Sequence, residues 1–292
     1  MKIFAVLALL AALICGPVSH AIADQDPTDL SGSLKGKLIR LTLDSHMLRR
    51  TTAVYVYLPP GYDGSRERYP VIYLLHGNPG KSSDLFSKGH MQETAEKLII
   101  DHKIHPMIMV AADCFGSGGS HTRNEFLNSS DGKMRAEDFV AHELPDFIDS
   151  HYRTIRSADA RALGGLSSGG YGAINIGGKH SDEFHILFSH SGFFDPKDED
   201  KYVTHMLGPE GPLWDVNNPI KQVRNWHDKK SLHVYMDIGD DDEALQQNRD
   251  LAGELEKYGV DHVFKVEKGK HAWSLWRGQF GVALVYVDKW LH

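Results

Sequence analysis

The chain has 292 residues, with 39 acidic side chains against 32 basic ones and a formal charge of −7. That acidity argues against a general binder of nucleic acid or of anionic membranes, and the length suits one α/β domain behind a targeting segment. With two cysteines in all, Cys15 and Cys114, this is no disulfide-stapled scaffold.

Lys2, the apolar run Ile3 to Ile14, and Ala21-Ile22-Ala23 before Asp24 read as a secretory signal peptide over residues 1–23. The run is too short for an ordinary membrane span. A lipoprotein reading through Cys15 is disfavoured by the bulk of Ile14. Cleavage after Ala23 leaves a single domain over residues 24–292, secreted or periplasmic, with no membrane attachment. It also removes Cys15, so the mature chain can form no internal disulfide.

Leu38 to Leu43 and Thr51 to Leu58 alternate apolar with polar residues across a polar turn, which predicts an antiparallel hairpin. Pro59-Pro60-Gly61 ends it. Val71 to Leu75 is continuously apolar, as in a central strand buried on both faces. It leads into His76-Gly77-Asn78-Pro79-Gly80. Met91 to Ile100 reads as a helix and Pro106 to Ala111 as another buried strand. A Gly/Ser loop follows over Asp113 to Gly119. Ala136 to Tyr152 is helical in pattern, with Pro145 kinking or starting it. Next come a strand ending near Leu166, a helix through Ala173 and Ile176, and a strand at Ile186 to Phe188. The segment Phe193 to Lys230 has no clean period and is too long for a plain connection. Leu232 to Asp237 is a strand, Glu243 to Tyr258 a helix stopped by Gly259, Val263 to Val266 the last strand, and Trp273 to Leu291 the closing helix. Strands alternating with helices give an α/β-hydrolase layout: a mostly parallel sheet, an antiparallel N-terminal hairpin, and helices on both faces.

Gly165-Leu166-Ser167-Ser168-Gly169 fits a nucleophile elbow, in which a serine stands on a strained strand-to-helix turn that only flanking glycines can crowd. Taken alone, the same residues would pass for a Gly/Ser-rich loop. A serine hydroxyl needs a base, and the base needs an orienting acid. His271 lies in the loop after the last strand and is the candidate base. His76 precedes the elbow and belongs to a different device. The acid comes from Asp237-Ile238-Gly239-Asp240-Asp241-Asp242. Asp242, three residues past Gly239, is the candidate. Asp240 and Asp241 read as solvated charge or helix caps, and Asp237 falls too early, within the strand. The backbone amides of Asn78 and Ser168 are the candidate oxyanion hole. Cys114, after an apolar run, reads as a buried and inert thiol.

Phe193, Phe194, Trp214 and Trp226 are the candidate substrate-binding residues. They wall an acyl or aromatic pocket, or else form a local core. No cluster of histidines and acids has ligand spacing, so neither a metal nor a cofactor is expected.

Leu74-Leu75-His76-Gly77, Asn128-Ser129, Gly165 to Ala173, Gly239-x-x-Asp242 and His271-x-Trp273-x-x-Trp276-Arg277 together resemble the esterase D-like "putative esterase" family. Its members include S-formylglutathione hydrolases, feruloyl and acetylxylan esterases, enterochelin esterases and mycolyltransferases. The resemblance spans nearly the whole mature chain. It implies Ser167 as nucleophile, His271 as base, Asp242 as acid, and Asn78 with Ser168 as oxyanion donors. The expected activity is that of a serine carboxylesterase acting on a small-molecule or glycan ester. An acyltransferase of the mycolyltransferase type, in which a sugar hydroxyl replaces water, uses the same residues. A non-catalytic binding protein on a hydrolase scaffold is the third reading, and a complete triad argues against it.

Overall fold

The computed structural model describes residues 22–23, 34–115 and 123–291. The signal segment up to residue 21 and most of the expected Gly/Ser loop after Asp113 fall outside them. Nine strands form one sheet among the described residues, in the order β1 (Ile22–Ala23), β2 (Lys37–Ser45), β3 (Arg50–Leu58), β5 (Ile108–Ala112), β4 (Val71–Leu75), β6 (Arg161–Leu166), β7 (Ile186–His190), β8 (His233–Gly239) and β9 (Asp261–Glu267). The pairs from β1 through β3 to β5 are antiparallel, and every pair from β5 through β9 is parallel. The hairpin and all the central strands read from the sequence are present, shifted at their ends by no more than a few residues.

The parallel strands alternate their side chains between two cores. Val71, Tyr73, Leu75, Leu163 and Leu187 pack on one face with the helices α4 (Leu144–His151), α5 (Ser168–Lys179) and α9 (Leu245–Lys257). Ile72, Leu74, Ala162, Ile186 and Phe188 pack on the other with α1 (Ser82–Ser87), α2 (Met91–Ile100) and α10 (Trp273–Asp288). Both faces are covered, so the strands are apolar throughout rather than alternating.

Pro145 stands in the first turn of α4, as the start of a helix would place it. A short turn, α3 (Ala136–Asp138), runs into a π-helical stretch at Phe139–Glu143 before α4 begins. The Leu144 amide reaches back to the Phe139 carbonyl, and the wider turn accommodates a proline that has no N–H to give. The irregular segment before β8 holds three short helices, α6 (Asp200–Leu207), α7 (Pro212–Val216) and α8 (Pro219–Gln222). No helix of the described residues is long and apolar enough to cross a membrane.

Two glycines test the packing from opposite sides. A Cβ on Gly169 would run into the Leu75 carbonyl, while one on the exposed Gly253 of α9 would meet nothing within 4 Å. Gly169→Ala should therefore cost about 1–3 kcal/mol or more through overpacking against backbone. Gly253→Ala should gain up to about 1 kcal/mol, or roughly 2–4 °C in Tm for a chain of this size. Thermal melts of both variants check the ranking, and a neutral Gly169→Ala would contradict the close approach of β4 and α5.

Candidate active site

Ser167 is the single residue between β6 and α5, at φ 55° and ψ −122°. A side chain in that region costs about 1–3 kcal/mol and persists only if its surroundings impose it. Here the Ser167 amide donates to the His190 carbonyl at 2.9 Å, and its carbonyl accepts the Tyr171 amide at 3.0 Å. Around the turn the backbone is crowded. A Cβ on Gly165 would lie 2.5 Å from the Gly169 carbonyl carbon and oxygen. The result is a hydroxyl standing clear of the sheet at the positive end of a helix.

Two loops at the ends of β8 and β9 meet this hydroxyl. His271 Nε2 lies 2.9 Å from Ser167 Oγ, and His271 Nδ1 lies 2.9 Å from Asp242 Oδ2. Asp242 Oδ1 accepts the Ala244 amide at 3.1 Å. The Asp242 side chain is only 2% exposed, whereas that of His271 is 43% exposed. Burial works against the charged carboxylate. The hydrogen bond and charge attraction of His271, the Ala244 amide and the Ser191 hydroxyl outweigh it, and hold the group below the usual carboxylate range. An ionised carboxylate only accepts, so Nδ1 carries the proton and Nε2 is left to accept from the serine.

The neighbouring aspartates do other things. Asp240 Oδ1 accepts the Gly269 amide at 2.9 Å and so ties the two loops together. Asp241 pairs with Lys270 at 3.1 Å, both side chains well exposed. Asp237 is wholly buried on β8, 2.8 Å from His190 Nδ1. Of the four, Asp242 alone is hydrogen-bonded to His271.

The backbone amides of Asn78 and Ser168 have no hydrogen-bond acceptor among the described residues. Asn78 and Ser167 border the same cleft of about 400 Å³, which Pro79, Leu166, Trp273 and Trp276 also line. Trp276 meets the His271 ring edge-on at 5.0 Å between centroids, and Trp273 meets Trp276 at 5.3 Å. A larger groove of about 1030 Å³ shares Asn78, Pro79, Gly80 and Asp84 with this cleft and extends to Arg50, Lys81, Lys88 and Tyr202.

Of the two readings of the four aromatics, pocket wall or local core, the geometry favours the core. Phe193, Phe194, Trp214 and Trp226 are all buried in the core on the α5 face and do not line the cleft. Phe193 stacks on Tyr171 at 4.7 Å, Trp214 donates its indole N–H to the Gly208 carbonyl, and Trp226 packs against Gly178. The cleft's tryptophans come instead from the start of α10, directly after His271. Their spacing from the histidine, at two and five residues, was visible in the sequence, but nothing there said which way they face.

His76 is buried, with Nδ1 3.0 Å from the Gly77 carbonyl and its ring against Phe115 and Phe126. Burial pushes its imidazole below the usual range. Cys114 is fully buried and burial pushes its thiol well up, as an inert cysteine requires. Arg123 reaches Ser168 Oγ at 3.2 Å while pairing with the buried Glu125, a contact the sequence gave no sign of. No group of three His, Cys, Asp or Glu side chains among the described residues could hold a metal ion.

A parallel sheet, a serine on a strand-to-helix turn, and a histidine and an aspartate in loops at the same strand ends define an α/β-hydrolase. The profile of the "Putative esterase" family matches residues 45–287, and the chain belongs to that family of carboxylic ester hydrolases. An acetyl esterase of Caldicellulosiruptor saccharolyticus is 24% identical over 277 residues, covering 86% of this chain and 98% of that one. An uncharacterized protein of Corynebacterium glutamicum is 26% identical over 247 residues, covering 81% of this chain, and the chain spans 56% of its length. Among solved structures, a ferulic acid esterase superposes with a TM-score of 0.77 at 27% identity, over 88% of this chain and 99% of that one.

The depressed Asp242 carboxyl has a consequence for stability. A carboxylate held low in the folded state stabilises it above its unfolded value, about 3.9, and that contribution disappears as pH falls through the folded value. Below about pH 5 the contribution of the Asp242 carboxylate to stability should shrink as pH falls. Urea midpoints of wild type and Asp242→Asn measured between about pH 5 and 2 check this, and a difference that stays constant over that range would contradict it.

Proposed function

We propose that the protein is a secreted or periplasmic serine carboxylesterase that works through an acyl-enzyme on Ser167, His271 and Asp242. The reading is carried by the unbroken line from Asp242 through His271 to Ser167, with both hydrogen bonds at 2.9 Å. Ser167 Oγ attacks the ester carbonyl carbon while its proton passes to His271 Nε2. The imidazolium that forms is stabilised by Asp242. The carbonyl oxygen takes up the negative charge and is met by the Asn78 and Ser168 amides. Collapse breaks the bond to the alcohol oxygen, which leaves with the proton from His271. Water then repeats the sequence and frees the acid, regenerating Ser167.

The two cavities suit the two halves of an ester. The smaller cleft, with Pro79, Leu166 and two tryptophans, presents an apolar and aromatic wall to an acyl group. Its volume lies at the lower end of the range for small-molecule pockets. The groove beyond Asn78 is larger and offers Arg50, Lys81, Lys88 and Tyr202 to a polar alcohol such as a sugar. The relatives named as acetyl esterase and ferulic acid esterase fit that division. The signal-like start of the sequence, Lys2 and the apolar run Ile3 to Ile14, supports a location outside the cytoplasm, although Ile22 and Ala23 of the expected segment pair with β2.

Ser167→Ala should lose about 10⁴–10⁶ in turnover with the fold intact, and a fluorophosphonate should label Ser167. Assays on p-nitrophenyl acyl esters, hydroxycinnamoyl esters and acetylated sugars, with sugar acceptors added in parallel, measure hydrolysis against acyl transfer. Labelling at Ser168 would overturn the assignment.

The acid is tested separately. Asp242→Asn should lose on the order of 10⁴ in kcat, while Asp241→Asn, an exposed change, should stay within about threefold of wild type. An inactive Asp241→Asn beside an active Asp242→Asn would reverse the assignment.

A further inference from the structure

We infer that Arg123 is a positioning residue for the oxyanion hole, acting through the side chain of Ser168. The inference rests on the proposed roles of Ser167 and of the Ser168 amide.

Ser168 opens α5, and its N–H belongs to the peptide that joins it to Ser167. The carbonyl of that peptide is held by the Tyr171 amide at 3.0 Å. The Ser168 side chain is buried, and Arg123 Nη2 donates to its hydroxyl oxygen at 3.2 Å. The peptide is thus held on its carbonyl side by α5 itself, and on its amide side by a residue from outside the helix. Arg123 is itself well fixed. Its side chain is only 6% exposed, and its Nε pairs with the wholly buried Glu125 carboxylate. Its guanidinium carbon sits 3.9 Å over the centre of the Tyr202 ring. A guanidinium is a rigid planar fork, so a partner at Nε and a ring on its face determine where Nη2 points.

The Arg123 and Glu125 pair is carried on a strained turn. Glu125 and Phe126 both have left-handed φ, 48° and 59°, which non-glycine residues keep only where their surroundings impose it. Asn124 imposes it here. Its side chain donates to the Cys114 carbonyl at 2.8 Å and accepts the Phe126 amide at 2.9 Å, and its carbonyl accepts the Leu127 amide at 2.8 Å. The Phe126 ring then packs so closely on α5 that a Cβ at Gly172 would lie 2.7 Å from it. The same ring meets His76, two residues before Asn78, at 5.6 Å between centroids. One turn therefore touches both segments that supply the proposed oxyanion donors. A buried ion pair is a poor route to stability, since an apolar pair of similar volume often does as well or better. What the pair offers, and an apolar pair does not, is a hydrogen bond of fixed direction to Ser168. Oxyanion donors act only when aimed at the place where charge develops, and a displacement of about 1 Å costs on the order of 10²-fold in rate.

The test compares wild type, Ser167→Ala, Ser168→Ala and the double variant Arg123→Met with Glu125→Leu on the p-nitrophenyl ester that wild type cleaves best. Ser168→Ala keeps the amide and removes the oxygen that Arg123 holds. The double variant replaces the buried pair by apolar side chains and leaves no charge unpaired. In each, kcat should fall about tenfold with KM within about twofold. The rate of fluorophosphonate labelling at Ser167 should fall in parallel, measured well below the melting temperature of each variant. Combining all three substitutions should cost no more than the larger of the two effects, because both remove one contact. A merely structural pair would shift the melting temperature and leave kcat and labelling unchanged, and that result would overturn the inference. Effects that multiply in the triple variant would overturn it too. An unchanged kcat in Ser168→Ala does so whether or not the double variant folds. The two levels separate cleanly. Ser167→Ala as active as wild type would defeat the catalytic reading, whereas an inactive Ser167→Ala beside a fully active Ser168→Ala defeats only this inference.

Discussion

Between Leu166 and Ser168 the chain leaves a strand and enters a helix within one residue, and Ser167 takes up the whole change of direction at φ 55°. A turn that tight brings the start of α5 against β4, where Gly169 meets the Leu75 carbonyl without room for a side chain. The strain is small beside the burial that imposes it. Every residue of β4 and β6, and Tyr171, Ala173, Ile174 and Ile176 of α5, is buried, and each large apolar side chain contributes about 1.5–3 kcal/mol. Relaxing Ser167 would mean lifting α5 from the sheet. The exposed hydroxyl is thus a consequence of core packing, and the site inherits the rigidity of that core.

The register of the sheet extends the same constraint sideways. Leu166 pairs with His190, and His190 with Asp237, so β6 and β7 end level and β8 runs on to Gly239. One strand further, Gly239 pairs with Glu267, and the two loops that follow are fastened to each other. The Asp240 amide bonds the Glu267 carbonyl, the Asp241 amide bonds the Gly269 carbonyl, and the Gly269 amide bonds the Asp240 side chain. A side chain at Gly239 would strike the Gly269 carbonyl. The loops that carry Asp242 and His271 therefore behave as one body, and a ligand site at the carboxyl ends of parallel strands follows from the topology.

Much of this was legible in the sequence, for identifiable reasons. Val71 to Leu75 reads as a central strand because both its faces are buried and no polar residue interrupts it. The elbow reads as such because its steric demands leave a mark in glycine positions. Asp242 could be set apart from Asp240 and Asp241 by its distance from Gly239, and the geometry places it, and neither of them, beside His271. What could not be read has a common cause. The four aromatics of the segment after β7 carry no period, so nothing in the sequence tells a core-facing ring from a cleft-facing one, and all four fill the space over α5. The His190 and Asp237 pair depends on cross-strand register, which exists only once β7 and β8 lie side by side. A buried pair of that kind gains attraction in the apolar interior but gives up hydration, so composition alone does not reveal it.

The origin of the cleft walls limits how such a site can change. Trp273 and Trp276 lie on the first turn of α10, which begins two residues after His271, and Trp276 touches the imidazole edge-on while reaching Ser191 with its indole nitrogen. One wall of the cleft is therefore also the support of the His271 ring. A smaller residue at Trp276 would widen the pocket and at the same time release His271 and the Ser191 hydroxyl. On the opposite wall the tie is through backbone, the amide of Asn78, and not through a side chain. Pro79 and Gly80 lie in the loop after β4, at the junction of the two cavities, and the side chain of Lys81 beyond them is exposed. Differences in substrate range at constant chemistry should therefore arise on the β4 side of the cleft, while the α10 side stays fixed by the geometry that serves Ser167.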